Sequence, residues 1–217
     1  MAVKSNVVIQ VEKEGPLEIR EVMLPDPSPH QVIVSIIATG LCQSQIMWTH
    51  LPRTRSMLFG HEGYGLVAKV GAKVIGLREG DPVVVTWLPR IGADGRPAEI
   101  STLEVGDGTT AAAPNVYTWA DYTLVDELFV KKLTGKHSDA TSIVGCAVIT
   151  GAGAVLNSAE AKRGDRIAVF GAGGVGLCAM TAAKIVEHLD VADIAEPGRF
   201  SRCPFGLSPV CTVPRGG

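Results

Sequence analysis

Residues 7–86 of the chain, and again Tyr117 to Leu133, read as β-rich, with short apolar runs and apolar-polar mixtures at strand-like spacing. Such mixtures have the period of strands with one buried face. Asn6-Val7-Val8-Ile9-Gln10-Val11 and Leu17-Glu18-Ile19-Arg20-Glu21-Val22 are predicted to pair about a turn at Glu14-Gly15-Pro16. Pro25-Asp26-Pro27-Ser28-Pro29 is a loop by composition. Gln31 to Ala38, Gly63 to Val70 and Pro82 to Thr86 are further strands, with Gly80-Asp81 as a turn. Ala120 to Val125 and Leu128-Phe129-Val130 restore the strand pattern later. Short strands separated by Gly, Pro and Asp turns point to a small barrel or sandwich. Residues 90–115 lack a clear period and are expected to form a surface lobe.

The period then changes. Ser138 to Leu156 is predicted to be helical, as one helix or two short ones, with Ser138 and Asp139 at its start. Arg166-Ile167-Ala168-Val169-Phe170 is an apolar run with the length of a buried strand, and Val175 to Val186 is predicted to be a helix. Between them lies Gly171-Ala172-Gly173-Gly174-Val175-Gly176, a G-x-G-x-x-G pattern. Between a strand and a helix, that spacing has a mechanism. Gly171 makes the tight turn, Gly173 lets backbone approach a pyrophosphate, and Gly176 lets the helix pack close. A tight turn in some other α/β domain fits the same residues. Asp190 to Glu196 is a candidate second strand. Beyond it come Pro197, Pro204, Pro209 and Pro214, several Gly and three Arg without an acid, so residues 197–217 are expected to be irregular or disordered.

Composition narrows the field. The chain has 217 residues, 46% hydrophobic and 19% charged, with a net charge of −2, which is ordinary for a globular protein and ample for a core. So small a charge gives no electrostatic case for nucleic acid or an anionic membrane. An aromatic content of 5% argues against base-stacking platforms. No apolar run reaches the ~20 residues that span a bilayer. The start, Met1-Ala2-Val3-Lys4-Ser5, leads into a strand pattern rather than a signal peptide, so a cytoplasmic location is expected. Five widely spaced cysteines do not make a disulfide framework.

Three side chains stand out as soft or borderline metal ligands: Cys42 after a strand, His61 in Gly60-His61-Glu62-Gly63, and Cys146 in the helical stretch. Two thiolates and an imidazole, with a fourth position left open, are the donor set of a catalytic zinc. Such an ion would ease loss of a proton from a bound alcohol. Glu62 is a candidate supporting group or transient fourth ligand. The three are far apart in sequence, and on spacing alone two buried cysteines and a loop histidine are the commoner reading.

Gly40-Leu41-Cys42-Gln43-Ser44, Leu58-Phe59-Gly60-His61-Glu62-Gly63, Gly80-Asp81, Gly145-Cys146, Thr150-Gly151 and the Gly171–Gly176 loop occur in one order. In these residues the chain resembles the zinc-dependent medium-chain dehydrogenase/reductase family, the alcohol dehydrogenases. The resemblance covers most of residues 7–195. It implies a mixed α+β and α/β fold: a GroES-like β-rich catalytic domain over residues 1–150, then the start of a Rossmann domain over residues 151–196. It implies one catalytic zinc on Cys42, His61 and Cys146, with Glu62 as the acidic neighbour. Ser44 matches the hydroxyl that bonds the substrate alcohol and starts a proton relay. Thr150 matches a residue lying against the nicotinamide. The implied reaction is hydride transfer between a small alcohol or aldehyde and NAD or NADP, in a protein for which a homo-oligomer is open. A zinc-free quinone-reductase-like enzyme on the same fold is the competing reading, and the coexistence of Cys42, His61 and Cys146 argues against it.

The departures are local. Residues 90–115 contain no cysteine, so no structural zinc is expected. Gln45 stands where many members have an acid. Met47 stands where some place the last histidine of the relay, with His50 as a nearby substitute. Asp193 or Glu196 is the candidate acid for the adenosine ribose, ~20 residues past the glycines. A full Rossmann sheet has about six strands, and the pattern here supplies one strand and a candidate second. The shift after Glu196 reads as a truncation, a frameshifted end or a wrong gene model. The expectation for the chain as written is weak cofactor binding with little or no turnover. A truncated relative acting as a metal-binding or interaction domain is the alternative.

Overall fold

The computed structural model describes residues 2–92, 94–106 and 108–186, and the backbone of two further strands, residues 190–194 and 210–213. The chain divides into two units after Cys146.

The first unit begins with the predicted pair, β1 (Val3–Gln10) and β2 (Glu18–Leu24), antiparallel in a register that sets Val7 opposite Arg20. β3 (Gln31–Thr39) leads into a short helix, α1 (Gln43–Trp48). β4 (Ser56–Leu58), β5 (Gly63–Val70) and β6 (Pro82–Val85) follow. Then come β7 (Thr102–Glu104), β8 (Thr110–Ala112), β9 (Tyr122–Asp126) and β10 (Val130–Lys132). Two sheets result, ordered β2-β1-β4-β8-β7 and β10-β6-β5-β3-β9. The segment entering β9 ties them together: Val8 N–H donates to the Trp119 carbonyl at 2.9 Å, and Ile36 N–H to the Asp121 carbonyl at 2.9 Å.

β3 shows why the sheets close over a core. Val32, Ile33 and Val34 are all buried, as expected for a central strand covered on both faces. Successive side chains point to opposite faces. Ile33 joins Val7, Ile9, Leu24, Leu58, Leu103 and Tyr117, while Val32 and Val34 join Val67, Val83, Val85 and Phe129. Pairing of β3 with β5 shifts register between Ile33 and Val34 and between Ile36 and Ala38. Such irregularities bend a strand and re-aim its end, here toward Cys42.

Two expectations for the first unit need correction. Residues 90–115 are not a surface lobe: β7 and β8 extend the first sheet, and Leu103, Val105, Ala111 and Ala113 enter its core. Each strand has three residues, too few turns of the two-residue period to stand out. Leu128 and Phe129 lie in a 3₁₀ turn, Glu127–Phe129, rather than a strand, because Asp126 caps it by accepting from Leu128 N–H at 2.8 Å. The stretch from Ser138 is helical as expected, in short pieces: a 3₁₀ segment, Asp139–Gly145, then in the second unit α2 (Ala147–Gly153) and a π-helical turn, Ala154–Ser158.

The second unit continues with β11 (Arg166–Phe170), α3 (Gly174–Ile185), β12 (Asp190–Ile194) and β13 (Val210–Val213). β12 runs parallel to β11 and β13 antiparallel on its other edge. The tail therefore supplies a strand where irregular chain was expected. The β-branched run around Cys211 pairs with backbone groups that an open edge of β11 would leave unmatched. Val155, Ile167, Val169, Ala179, Ala182 and Ala183 form the core of this unit. Among the described residues, no single helix is long and apolar enough to cross a membrane.

Candidate functional site

Cys42 occupies the N-cap position of α1 with extended backbone, and its side chain makes no capping bond. Its sulfur accepts from Ser44 Oγ–H at 3.3 Å. His61 lies in the crossing from β4 to β5, a segment held on several sides. The Phe59 carbonyl accepts from the N–H groups of Thr118 and Trp119, both at 3.1 Å, and the Trp119 ring stacks on Phe59. The Glu62 carbonyl lies 2.8 Å from the Thr39 hydroxyl and 2.9 Å from the Thr118 hydroxyl. Cys146 follows the 3₁₀ segment, whose end is anchored by Thr86 Oγ–H donating to the Gly145 carbonyl at 2.7 Å.

These three elements bring Cys42, His61 and Cys146 together, with one ligand atom from each lying within 4.8 Å of the others. The two sulfurs are 4.0 Å apart. That is far beyond a disulfide bond and close to the separation of about 3.8 Å that two thiolates adopt on a tetrahedral zinc. Gln45, buried beside them, contacts His61 Nδ1 at 2.9 Å. Nε2 is then the nitrogen left for the cluster, and it is buried without a hydrogen-bond partner. Trp48 meets the imidazole edge-on at 5.9 Å. Burial lowers the pKa of His61, which favours the neutral form that ligates metals. The donor set therefore fits a zinc ion with one position open.

Glu62 does not join this set, which consists of the three named residues. Its buried carboxylate lies beside Gly40, and its Cβ beside Gly145, the residue before Cys146: added Cβ atoms there would be 2.3 Å from Oε1 and 3.2 Å from Glu62 Cβ. His50 is also not part of the site. It is exposed beyond α1, with Nδ1 3.8 Å from a Glu14 carboxylate oxygen. Residues that sequence reasoning passed over include Thr39, Thr86, Thr118 and Trp119. They hold the ligand-bearing loops through hydroxyl and indole hydrogen bonds, and such residue types are too common to signal a site.

The glycine loop belongs to the second unit. Gly171 has φ of +97°, and Gly173 caps α3 with extended backbone. A Cβ at Gly176 would be 1.9 Å from the Gly171 carbonyl oxygen, whereas one at Gly173 would meet nothing within 4 Å. The helix thus packs on the turn through Gly176. Gly173 and Gly174 are exposed at the helix N-terminus, and Val175 is half-buried. This is an open cradle suited to an anion. Thr150 is exposed on α2. Asp193 lies opposite Val169 in the β11–β12 register, and Glu196 lies outside the described residues.

Residues 28–135 match the family model of the alcohol dehydrogenase GroES-like domain. The chain is 32% identical to alcohol dehydrogenase 6 of Rattus norvegicus, over 93% of this chain and 60% of that protein. It is 31% identical to the class-3 alcohol dehydrogenase of Cereibacter sphaeroides, over 84% of this chain and 55% of that protein. Among solved structures, an alcohol dehydrogenase zinc-binding domain protein from Burkholderia ambifaria superposes with a TM-score of 0.76 at 26% identity. That match covers 89% of this chain and 59% of the other. The chain spans under two thirds of the length of each of these relatives. The family match falls within the first unit, whose paired curled sheets have the GroES-like fold.

Proposed function

Since the chain belongs to the zinc-type medium-chain alcohol dehydrogenase family, we propose that it is an oxidoreductase exchanging a hydride between a primary or secondary alcohol and NAD or NADP. The observation that carries this reading is the convergence of Cys42, His61 and Cys146 from three separate elements. A zinc ion held there would supply a Lewis acid that makes a bound hydroxyl easier to deprotonate. The chain's own residues do the rest. Cys42 and Cys146 bring two thiolates, and His61 brings a neutral imidazole favoured by its burial. Ser44, in the first turn of α1, holds a hydroxyl 3.3 Å from the Cys42 sulfur. On this reading it accepts the substrate proton and passes it on. Gly173 and the N-terminus of α3 receive the pyrophosphate of the dinucleotide.

A second reading draws on the second unit. Its described sheet has β13 antiparallel beside β11, whereas a dinucleotide sheet of the doubly wound type is mostly parallel. On that reading the first unit binds metal without turnover. Metal analysis with an activity assay separates the two. The proposal expects one zinc per chain, lost in Cys42→Ser, together with alcohol-dependent reduction of NAD or NADP. Zinc binding without turnover supports the second reading, and failure of the reduced protein to take up zinc when the ion is added overturns both.

A further inference from the structure

The amide of Gln45 sits between two partners with unequal roles. The backbone N–H of Gly60 can only donate, and it reaches Gln45 Oε1 at 2.7 Å. That contact fixes which way round the amide lies. Its nitrogen therefore faces His61 Nδ1, at 2.9 Å. An amide nitrogen donates and does not accept, so Nδ1 is the acceptor and the proton of the neutral ring rests on Nε2.

Nε2 is also the nitrogen left to serve the metal cluster, buried and without a hydrogen-bond partner. A protonated Nε2 has no lone pair to give. Ligation through it moves the ring proton to Nδ1, where it meets the amide NH₂, donor against donor. Turning the amide over cures that contact but sets the NH₂ against Gly60 N–H. Gln45 is 1% exposed, so solvent water has little access to relieve either arrangement. An unmatched buried donor carries its desolvation penalty uncompensated.

We propose that Gln45 makes metal loading of the Cys42–His61–Cys146 site conditional on a tautomer shift of His61 and inversion of its own amide, so that the site holds its metal weakly. This inference rests on the metal reading above. Gln45 is a positioning residue acting through His61. A carboxylate at position 45 offers two acceptors, one for Gly60 N–H and one for Nδ1–H, and removes the conflict. Partners of that kind typically change metal affinity 10–100-fold.

The test uses the full chain, reduced and metal-free. Zinc affinity is measured by competition with a chromophoric chelator for the wild type and Gln45→Glu. Nitrogen chemical shifts of His61 report its tautomer. The expected result is an Nε2–H ring in the metal-free wild type, an Nδ1–H ring in Gln45→Glu, and zinc binding tighter in the variant by about 10–100-fold. An Nδ1–H ring in the metal-free wild type, or no tighter binding by the variant, overturns the inference while leaving the metal reading intact. Absence of Cys42-dependent zinc binding in both proteins overturns the metal reading and the inference with it. Should Gln45→Glu not fold, the wild type decides alone. Side-chain amide signals of Gln45 that move on zinc addition support the inversion, and signals that stay fixed overturn it.

Discussion

Ser44 and Cys42 show how much of the site's chemistry is local. Cys42 stands at the start of α1, and Ser44 two residues on donates its hydroxyl to the Cys42 sulfur at 3.3 Å. The backbone N–H of Gln45 bonds the Cys42 carbonyl at 3.0 Å, so one helical turn sets ligand, hydroxyl and His61 partner together. Replacing Ser44 by Ala removes a weak bond to sulfur and the proton-accepting group but no metal ligand. Turnover per zinc is expected to fall by about 10²–10⁴-fold, the usual worth of a positioned acid–base group, with zinc content unchanged. Measuring zinc by elemental analysis alongside kcat checks this, and a parallel loss of zinc would make Ser44 a structural residue instead. At this scale, residue type made Cys42, His61 and Cys146 candidates, but only the family resemblance joined three residues so far apart in sequence into one set, which the fold brings together. Gln45 was legible only as a departure from an acid, since its hydrogen bonds to both Gly60 and His61 depend on a fold that brings residues 45 and 60 together.

Arg96 and Asp126 carry the same logic to whole elements. Asp126 ends β9 and is fully buried. Arg96, in the stretch preceding β7, bonds both its oxygens, at 2.6 and 3.1 Å. Glu99 N–H and Leu128 N–H add bonds at 2.9 and 2.8 Å. Burial raises the Asp126 pKa, but the Arg96 hydrogen bond and the two backbone donors outweigh it, and the net shift is downward. A carboxylate with a folded pKa below its unfolded one adds stability above the unfolded value of about 3.9, and loses it as pH falls through the lowered folded pKa. Asp126→Asn is expected to cost about 2 kcal/mol at neutral pH by weakening the charged hydrogen bonds of Arg96, which keeps Glu127 at 3.2 Å. It should also flatten the acid side of the stability curve below about pH 4. Urea unfolding of both proteins across that range is the measurement. An unchanged acid slope would mean that other carboxylates govern it. Long strands were legible from their runs of β-branched and apolar residues between turn signals, β3 as an almost unbroken apolar run and β5 with Gly at its start. β4, β7 and β8, three residues each, were not, because their burial is decided by distant partners such as β1 and by the Arg96 clasp. Leu128 and Phe129 misled because apolar content does not reveal that Asp126 caps a turn.

The two units divide the proposed chemistry between them. Cys42, His61 and Cys146 all precede the division after Cys146, whereas β11, the glycine loop and α3 follow it. The close contact inside the second unit is Gly176 against the Gly171 carbonyl, where a Cβ would sit 1.9 Å from a backbone oxygen that no side-chain rotation can move aside. Gly176→Val must therefore push α3 off its turn. Overpacking of this kind costs about 1–3 kcal/mol, and if the whole cost falls on the geometry of the phosphate cradle, affinity for NADH or NADPH drops by roughly tenfold to a hundredfold. Zinc content and zinc affinity should stay at wild-type values, because the substitution touches none of the three ligands or the elements that hold them. Titration with reduced cofactor, followed by its fluorescence, and chelator competition on the same preparation measure both quantities together. Loss of cofactor with zinc retained is the outcome expected of two self-contained sites. Loss of both would show that the first unit needs an ordered second unit to keep Cys146 in place, since Cys146 is the last residue before α2 and the one ligand whose position a displaced helix would drag.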